Sequence, residues 1–198
     1  MNAYAQCKRR NLSMLIGSYT PTAAHYLPSN WESSRVAANL AAGIVESNPR
    51  LNVEHIGSTA VPGCWGKGII DLLVTYEPGC LRSAKDTLDH MGFQRQGGAD
   101  AFPESRPMRV GSTEYLGRPY RIHAHVIEAG HSEAHDLLKF RNLLRSDAEL
   151  LRCYEAEKRA ILARGTTKST EYSNAKGEFI QRVLTADCNP TLTERITF

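Results

Sequence analysis

Between Val53 and Val74 the chain sets a Gly57-Ser58 pair, a Pro62-Gly63 turn, Lys67 and a lone Asp71 inside the apolar run Ile69 to Tyr76. A Gly-Ser turn leaves backbone N–H groups open and unshielded, which suits a phosphate group. A carboxylate emerging from the strand that follows could hold a divalent cation against that phosphate. The plain alternative is that Gly57 and Gly63 are ordinary turn residues and Asp71 a hydrogen-bonded structural acid.

A second constellation is His123 and His125. Residues two apart on a strand share a face, so the two imidazoles point the same way. With Asp71 on a neighbouring strand they would form a two-histidine, one-carboxylate set open to a metal. His55, just before the Gly-Ser turn, would add a fourth ligand or bind phosphate. Alternatively, these histidines pack, or touch substrate phosphates directly. His25, His90, His131 and His135 lack a supporting pattern and are expected to be solvated or to cap helices. Lys67 and Lys176 could neutralise a polyphosphate, and Arg141 and Arg145, four apart, lie on one helix face.

The elements that must position these groups follow from periodicity. Ser29 reads as the N-cap of a helix over 31–45, closed by Asn48-Pro49. Strands are expected over 51–56 and 69–76, the second buried. Leu81, Ala84, Leu88 and Met91 recur at helical spacing and stop at Gly92. Residues 93–115, broken by Gly and Pro, read as hairpins or loops, and 120–127 as a strand with two unlike faces. Beyond 131 the pattern is helical, with Ser146 and Glu149 reading as a capping box between two helices and a third stripe at Tyr172, Phe179, Ile180 and Val183. Strands first and helices last imply α+β, a mixed sheet with flanking helices and a helical C-terminal third. Residues 1–11 are expected to fray, 12–186 to form one domain with a short strand over 12–16, and 187–198 to be a tail.

Composition sets the outer limits. The chain has 198 residues, 22.0 kDa, with 41% hydrophobic and 23% charged residues, a globular profile that excludes disordered and fibrous classes. A net charge of +3 is too small for a nucleic-acid footprint, so no nucleic-acid partner is expected. Five scattered cysteines without a C-x-x-C motif suit single reduced thiols. No stretch reaches the ~18 apolar residues of a membrane span. The apolar run after Lys8-Arg9-Arg10 is about five residues, shorter than a signal peptide needs, so a cytoplasmic protein is expected.

The segment Glu54-His55-Ile56-Gly57-Ser58-Thr59-Ala60-Val61-Pro62-Gly63, with Lys67 and Ile69-Ile70-Asp71, resembles the signature of the GrpB-like family of the nucleotidyltransferase superfamily. The likeness continues through His123-Ala124-His125-Val126, Phe140-Arg141, Arg145, Tyr154 with Lys158, and Tyr172 to Lys176 with Phe179-Ile180, covering roughly residues 12–185. It implies a mixed sheet whose Gly57-Ser58-Thr59 turn faces nucleotide phosphates, with Lys67, Arg141 and Lys176 as cations. Catalytic members of the superfamily hold two Mg²⁺ ions on two carboxylates one residue apart plus a third from a later strand. Here the first maps to Asp71, the second position is Leu73, which cannot bind metal, and the later strand offers His123 and His125.

The expected cofactor is a divalent cation, Mg²⁺ ahead of Mn²⁺ or Zn²⁺, on Asp71, His123, His125 and His55. Glu54, Glu128 or His125 would have to act as the missing partner or base. The expected ligand is a nucleotide, with transfer of a nucleotidyl group to a small molecule or protein. One rival is a non-catalytic nucleotide- or CoA-type module, since some family members join this domain to a CoA-pathway kinase. Another is a His-x-His metal enzyme of the cupin type, which the helical C-terminal third argues against.

Overall fold

The computed structural model describes residues 15–20, 26–164 and 169–186. The expected fraying at 1–11, most of the strand over 12–16, His25 and the tail at 187–198 lie outside them. The elements run β1 (Leu27–Pro28), α1 (Trp31–Ser47), β2 (Asn52–Ile56), a 3-10 turn (Ser58–Ala60), β3 (Trp65–Gly66), β4 (Ile70–Tyr76), α2 (Leu81–His90), β5 (Gln94–Arg95), β6 (Met108–Tyr115), β7 (Arg118–Glu128), α3 (Ser132–Ser146), α4 (Ala148–Ala163) and α5 (Ser169–Ala186). This is the α+β class expected from the sequence.

The main sheet has the order β2-β4-β7-β6-β5. Its β4–β7 pair is parallel and the other pairs are antiparallel. Period-two alternation gives the sheet two faces. One carries Ile70, Leu72, Val74, Ile122, Ala124 and Val126 against Val36, Leu40 and Ile44 of α1 and Ala84 and Leu88 of α2, a continuous apolar core. The other carries Asp71, Leu73, His123, His125 and Ile127. At its outer end Leu73, Ile56 and Ile127 pack under Ala134, Leu137 and Leu138 of α3. The C-terminal helices have their own core, in which Phe140, Tyr154 and Phe179 meet Val61 and Cys64 of the loop after the 3-10 turn. That contact anchors the helical third over the Gly57-Ser58 turn.

Three local expectations change. The N-cap of α1 is Asn30, whose Oδ1 accepts the Ser33 N–H, while Ser29 Oγ donates to Val61 O. The cap of α4 is Asp147, whose Oδ1 accepts from the N–H groups of Glu149 and Leu150. Its carboxylate, one residue closer to the free N–H groups of α4 than Ser146, suits the N-cap position, and Ser146 instead ends α3. The third is β6, an eight-residue strand where the sequence suggested hairpins or loops. It is held between β5 and β7, and its Arg109 is fully buried between Asp89 and Glu104, at 2.6 and 2.9 Å. Ion pairs supplied by the fold make burial of this charge tolerable, and because both faces of β6 are covered no polar-out face marks the strand. Hydrogen bonds from Arg109 hold the Glu104 carboxyl down to about 2.

Candidate functional site

Gly57 is the hinge of the site. Its φ of +72° and ψ of −171° fall in a region open essentially to glycine. A Cβ at this position would collide with Asp71 Oδ2. The turn therefore crosses directly over the carboxylate, which the Ile56–Asp71 pairing of β2 with β4 places beneath it. Gly66 has the same role on the far side, since a Cβ there would meet Ser58 Oγ.

Parallel pairing sets Asp71 opposite His123 and Leu73 opposite His125. Asp71 Oδ1 lies 3.5 Å from His123 Nδ1 and 3.7 Å from His125 Nε2. Burial raises the Asp71 carboxyl, but the two imidazoles beside it outweigh that and hold the group well below the usual carboxylate range. The outer nitrogens are also engaged, His123 Nε2 with Tyr19 Oη at 3.0 Å and His125 Nδ1 with Arg106 at 3.3 Å. Arg106 is fixed in turn by Glu133. Asp71 and the two imidazoles thus stand together on one face of the sheet.

This cluster borders a cavity of about 280 Å³ between the sheet and α3–α5. Gly57 and Ser58 form its rim, and Lys67, Arg141, Lys158 and Lys176 line it together with Asp71. Three lysines face one carboxylate, while Arg141 is paired with Glu54. Burial, then the nearby Lys176 and Arg121, pull the Lys67 ammonium down from its usual value, and its Nζ sits 4.3 Å above the Tyr172 ring. Lys158 is 2% exposed. Its ammonium donates to Cys64 Sγ at 3.3 Å and to Trp65 O, lies 4.4 Å over the Tyr154 ring, and is likewise pulled down by burial. Neutral partners offset only part of the cost of burying a charge, so this amine favours an anion entering the cavity.

Other expected site residues lie elsewhere. His55 pairs with Leu72, which puts it on the sheet face away from Asp71. There its Nε2 meets Thr59 Oγ1 at 3.0 Å, and Thr59, 3% exposed, donates to Ile69 O. The two brace the turn from behind, so His55 does not join the set around Asp71. Glu54 is tied to Arg141 at 2.8 Å, and Arg141 also donates to His55 O. Arg145 donates to Ala60 O. Both arginines therefore clamp the turn backbone. Glu128, three residues beyond His125, faces the opposite side of the sheet and is exposed at the end of β7. Neither glutamate supplies a second carboxylate beside Asp71.

Among the described residues no three His, Cys, Asp or Glu side chains are grouped to hold a metal ion by themselves. The position for a second carboxylate is Leu73, fully buried in an apolar cluster, so the residues do not fit a two-Mg²⁺ centre. His131 caps α3 through Nδ1 and His90 Nδ1 contacts Asp86 O, as expected for helix-end histidines. Lys158, Tyr19, Arg106 and Arg121 are cavity or cluster residues to which the spacing assigned no role. Lys158 sits on the buried stripe with Tyr154 and Ile161, and a lysine on an apolar stripe was the available signal.

The buried His55 carries a testable consequence. Burial lowers its imidazole from 6.5 to about 4. A depressed folded-state value means that stability is full above pH 6.5 and falls as pH drops toward 4. The loss attributable to this group is up to about 3 kcal/mol. Urea unfolding of His55→Gln across pH 4–7 should show a flatter profile than the parent; parallel profiles would remove His55 as the cause.

No helix among the described residues is long and apolar enough to cross a membrane. A UPF0157 protein of Streptomyces coelicolor is 34% identical over 134 residues, 66% of this chain and 65% of that protein. Another from Pseudomonas aeruginosa is 32% identical over 140 residues, 69% of this chain and 55% of its own length. The chain thus spans between half and two thirds of these relatives. The crystal structure of conserved protein GrpB from Enterococcus faecalis superposes with a TM-score of 0.57 at 19% identity, covering 81% of this chain and 99% of that one, a likeness of fold. The structure of Cid1 with its short product ApU overlaps more loosely, with a TM-score of 0.47 at 15% identity over 67% of this chain and 42% of that one. The family model described as GrpB protein matches residues 26–186. With the Gly57-Ser58 turn, Asp71 and the His123/His125 pair inside that span, the chain belongs to the GrpB family.

Proposed function

We propose that the cavity binds a nucleotide through its phosphates, on the Gly57-Ser58 turn and the cations Lys67, Lys158 and Lys176. The observation that carries this reading is the charge of the cavity, Lys67, Lys158 and Lys176 beside Asp71 with Arg141 paired to Glu54, at an open glycine turn. Preorganised cations in a partly closed site attract polyphosphate far more strongly than they would in water. The rings of Tyr154 and Tyr172, with the apolar Phe140 and Ile180, offer a surface for a base or another flat group.

A Mg²⁺ ion would enter with the polyphosphate rather than be held beforehand, with Asp71 its carboxylate ligand and His123 and His125 orienting that carboxylate. Bound there, the ion would supply charge neutralisation to the phosphates. With Leu73 in the second carboxylate position, the reading favoured is nucleotide binding, with nucleotidyl transfer to a small acceptor as the reaction to be assayed. The cytoplasm, where nucleotides and reduced thiols coexist, is the proposed compartment.

The test is calorimetric titration with ATP, GTP and CoA, each with Mg²⁺ or EDTA. A nucleotide should bind, more tightly with Mg²⁺, and Lys176→Ala should weaken it about tenfold, as expected for loss of one charge-assisted contact. Absence of binding by all three, or binding indifferent to Lys176→Ala, overturns the reading. Transfer of label from α-³²P-ATP by the parent would separate an enzyme from a binding module.

A further inference from the structure

A second cavity, about 480 Å³, lies on the other side of Ser58 and Gly66. It shares Ser58, Gly66 and Lys67 with the first, so the two meet along one wall. β7 links them, because Arg121, His123 and His125 follow each other on one face at about 7 Å intervals. Arg121 lines the second cavity and the two histidines line the first.

The second cavity has its own recognition chemistry. Arg121 donates to Lys67 O at 2.8 Å, which holds its guanidinium in the second cavity against the shared wall. The cap of the 17-residue α1 opens onto it through Asn30 and Ser33. Arg118 also lines it but is paired with Glu32 at 3.1 Å, and Glu32 accepts from Tyr120 Oη as well, so that pair adds no net charge. Hydroxyls make up much of the remaining wall. Ser29 and Ser33 donate to Val61 O and Asn30 Oδ1, leaving lone pairs to accept from a ligand. Ser112, directly opposite Arg121 on β6, has a buried Oγ with no hydrogen-bond partner among the described residues. An orphaned buried hydroxyl costs stability unless something completes it.

We infer that this second cavity is a binding site for a small hydroxylated phosphomonoester, its phosphate on Arg121 and its hydroxyls on Ser112, Ser29 and Ser33. The site stands on its own residues and needs no nucleotide in the first cavity. Its position places such a compound across the Gly57-Ser58 turn from Asp71, where a second substrate would lie if the first cavity holds a nucleotide.

sn-Glycerol 3-phosphate is the probe, titrated by NMR or calorimetry into the full chain with and without saturating ATP. It should bind with a Kd in the millimolar range that ATP changes by no more than about threefold. Ser112→Val should weaken the probe about tenfold, the worth of one hydrogen bond, while leaving ATP binding unchanged. Valine is favoured on a strand and removes an unsatisfied hydroxyl, so the urea midpoint of this variant should equal or exceed that of the parent. A purely structural role for Ser112 would give the reverse pattern. Ser112→Ala should repeat the loss of probe binding.

No probe binding at about 10 mM, displacement of the probe by ATP, or probe affinity untouched by both Ser112 variants overturns the inference. Probe binding that depends on Ser112 in a chain that binds no nucleotide supports the second site and defeats only the nucleotide reading.

Discussion

Leu73→Asp is expected to lower unfolding stability by at least 4 kcal/mol, on the order of half the total stability of a domain this size. In a site missing its second carboxylate, that substitution is the natural attempt at repair. The side chain at 73 does share a face with Asp71, two residues along β4. Yet it is fully buried and points into Ile56, Ile127, Ala134 and the leucines of α3. A carboxylate there would be stripped of water among apolar side chains, with only His125 beside it and that imidazole already engaged by Arg106 and Asp71, and the leucine packing would be lost as well. Urea unfolding checks this directly. A variant that folds with parental stability would mean that water or a cation reaches position 73, and the exclusion of a two-metal centre would then fail.

Gly57→Ala is the second large effect, aimed at the ligand rather than the core. Alanine at φ +72°, ψ −171° carries a backbone cost of about 1–3 kcal/mol. Its methyl would also occupy the space of Asp71 Oδ2. The turn must lift or the carboxylate must rotate away from His123 and His125, and either movement separates the phosphate cradle from its acid. Nucleotide affinity should fall more than about thirtyfold, a loss exceeding 2 kcal/mol. Titration of the folded variant reads this loss. Parental affinity in a variant whose far-ultraviolet spectrum is unchanged would detach Gly57 from the site.

Between these two substitutions lies a contrast in what a neighbouring strand does. Asp71 and Leu73 alternate correctly onto one face, and their spacing is plain in the sequence. What differs is the cover. Above Asp71 the helices leave a cavity lined by Lys158 and Lys176, while above Leu73 α3 lies close. Strand periodicity reports a face and says nothing of what sits over it.

Some of the site was legible for the same reason. The paired imidazoles of His123 and His125 needed only period two, and Asp71 needed only a buried strand beside theirs. The Gly57-Ser58 turn was legible because a backbone conformation closed to other residues demands glycine locally. His55 was misplaced because it stands one residue from Ile56, and a single step along a strand reverses the face. Strand β6 was legible only as part of hairpins or loops, because Gly111, Ser112 and Thr113 carry little apolar signal and Arg109 is buried only through Asp89 and Glu104.

By itself the sequence determined the class of fold, the helices of the C-terminal third, the glycine turn and the residues that could bear charge. Those properties depend on local backbone preference and on hydrophobic periods of two and 3.6. Only the tertiary structure decided that Lys158 would be buried at the cavity wall, that Arg141 would clamp a turn, and that a second cavity would open beyond Ser58. These features arise where segments far apart in the chain meet, and burial and electrostatic partnership are properties of that meeting rather than of any residue alone.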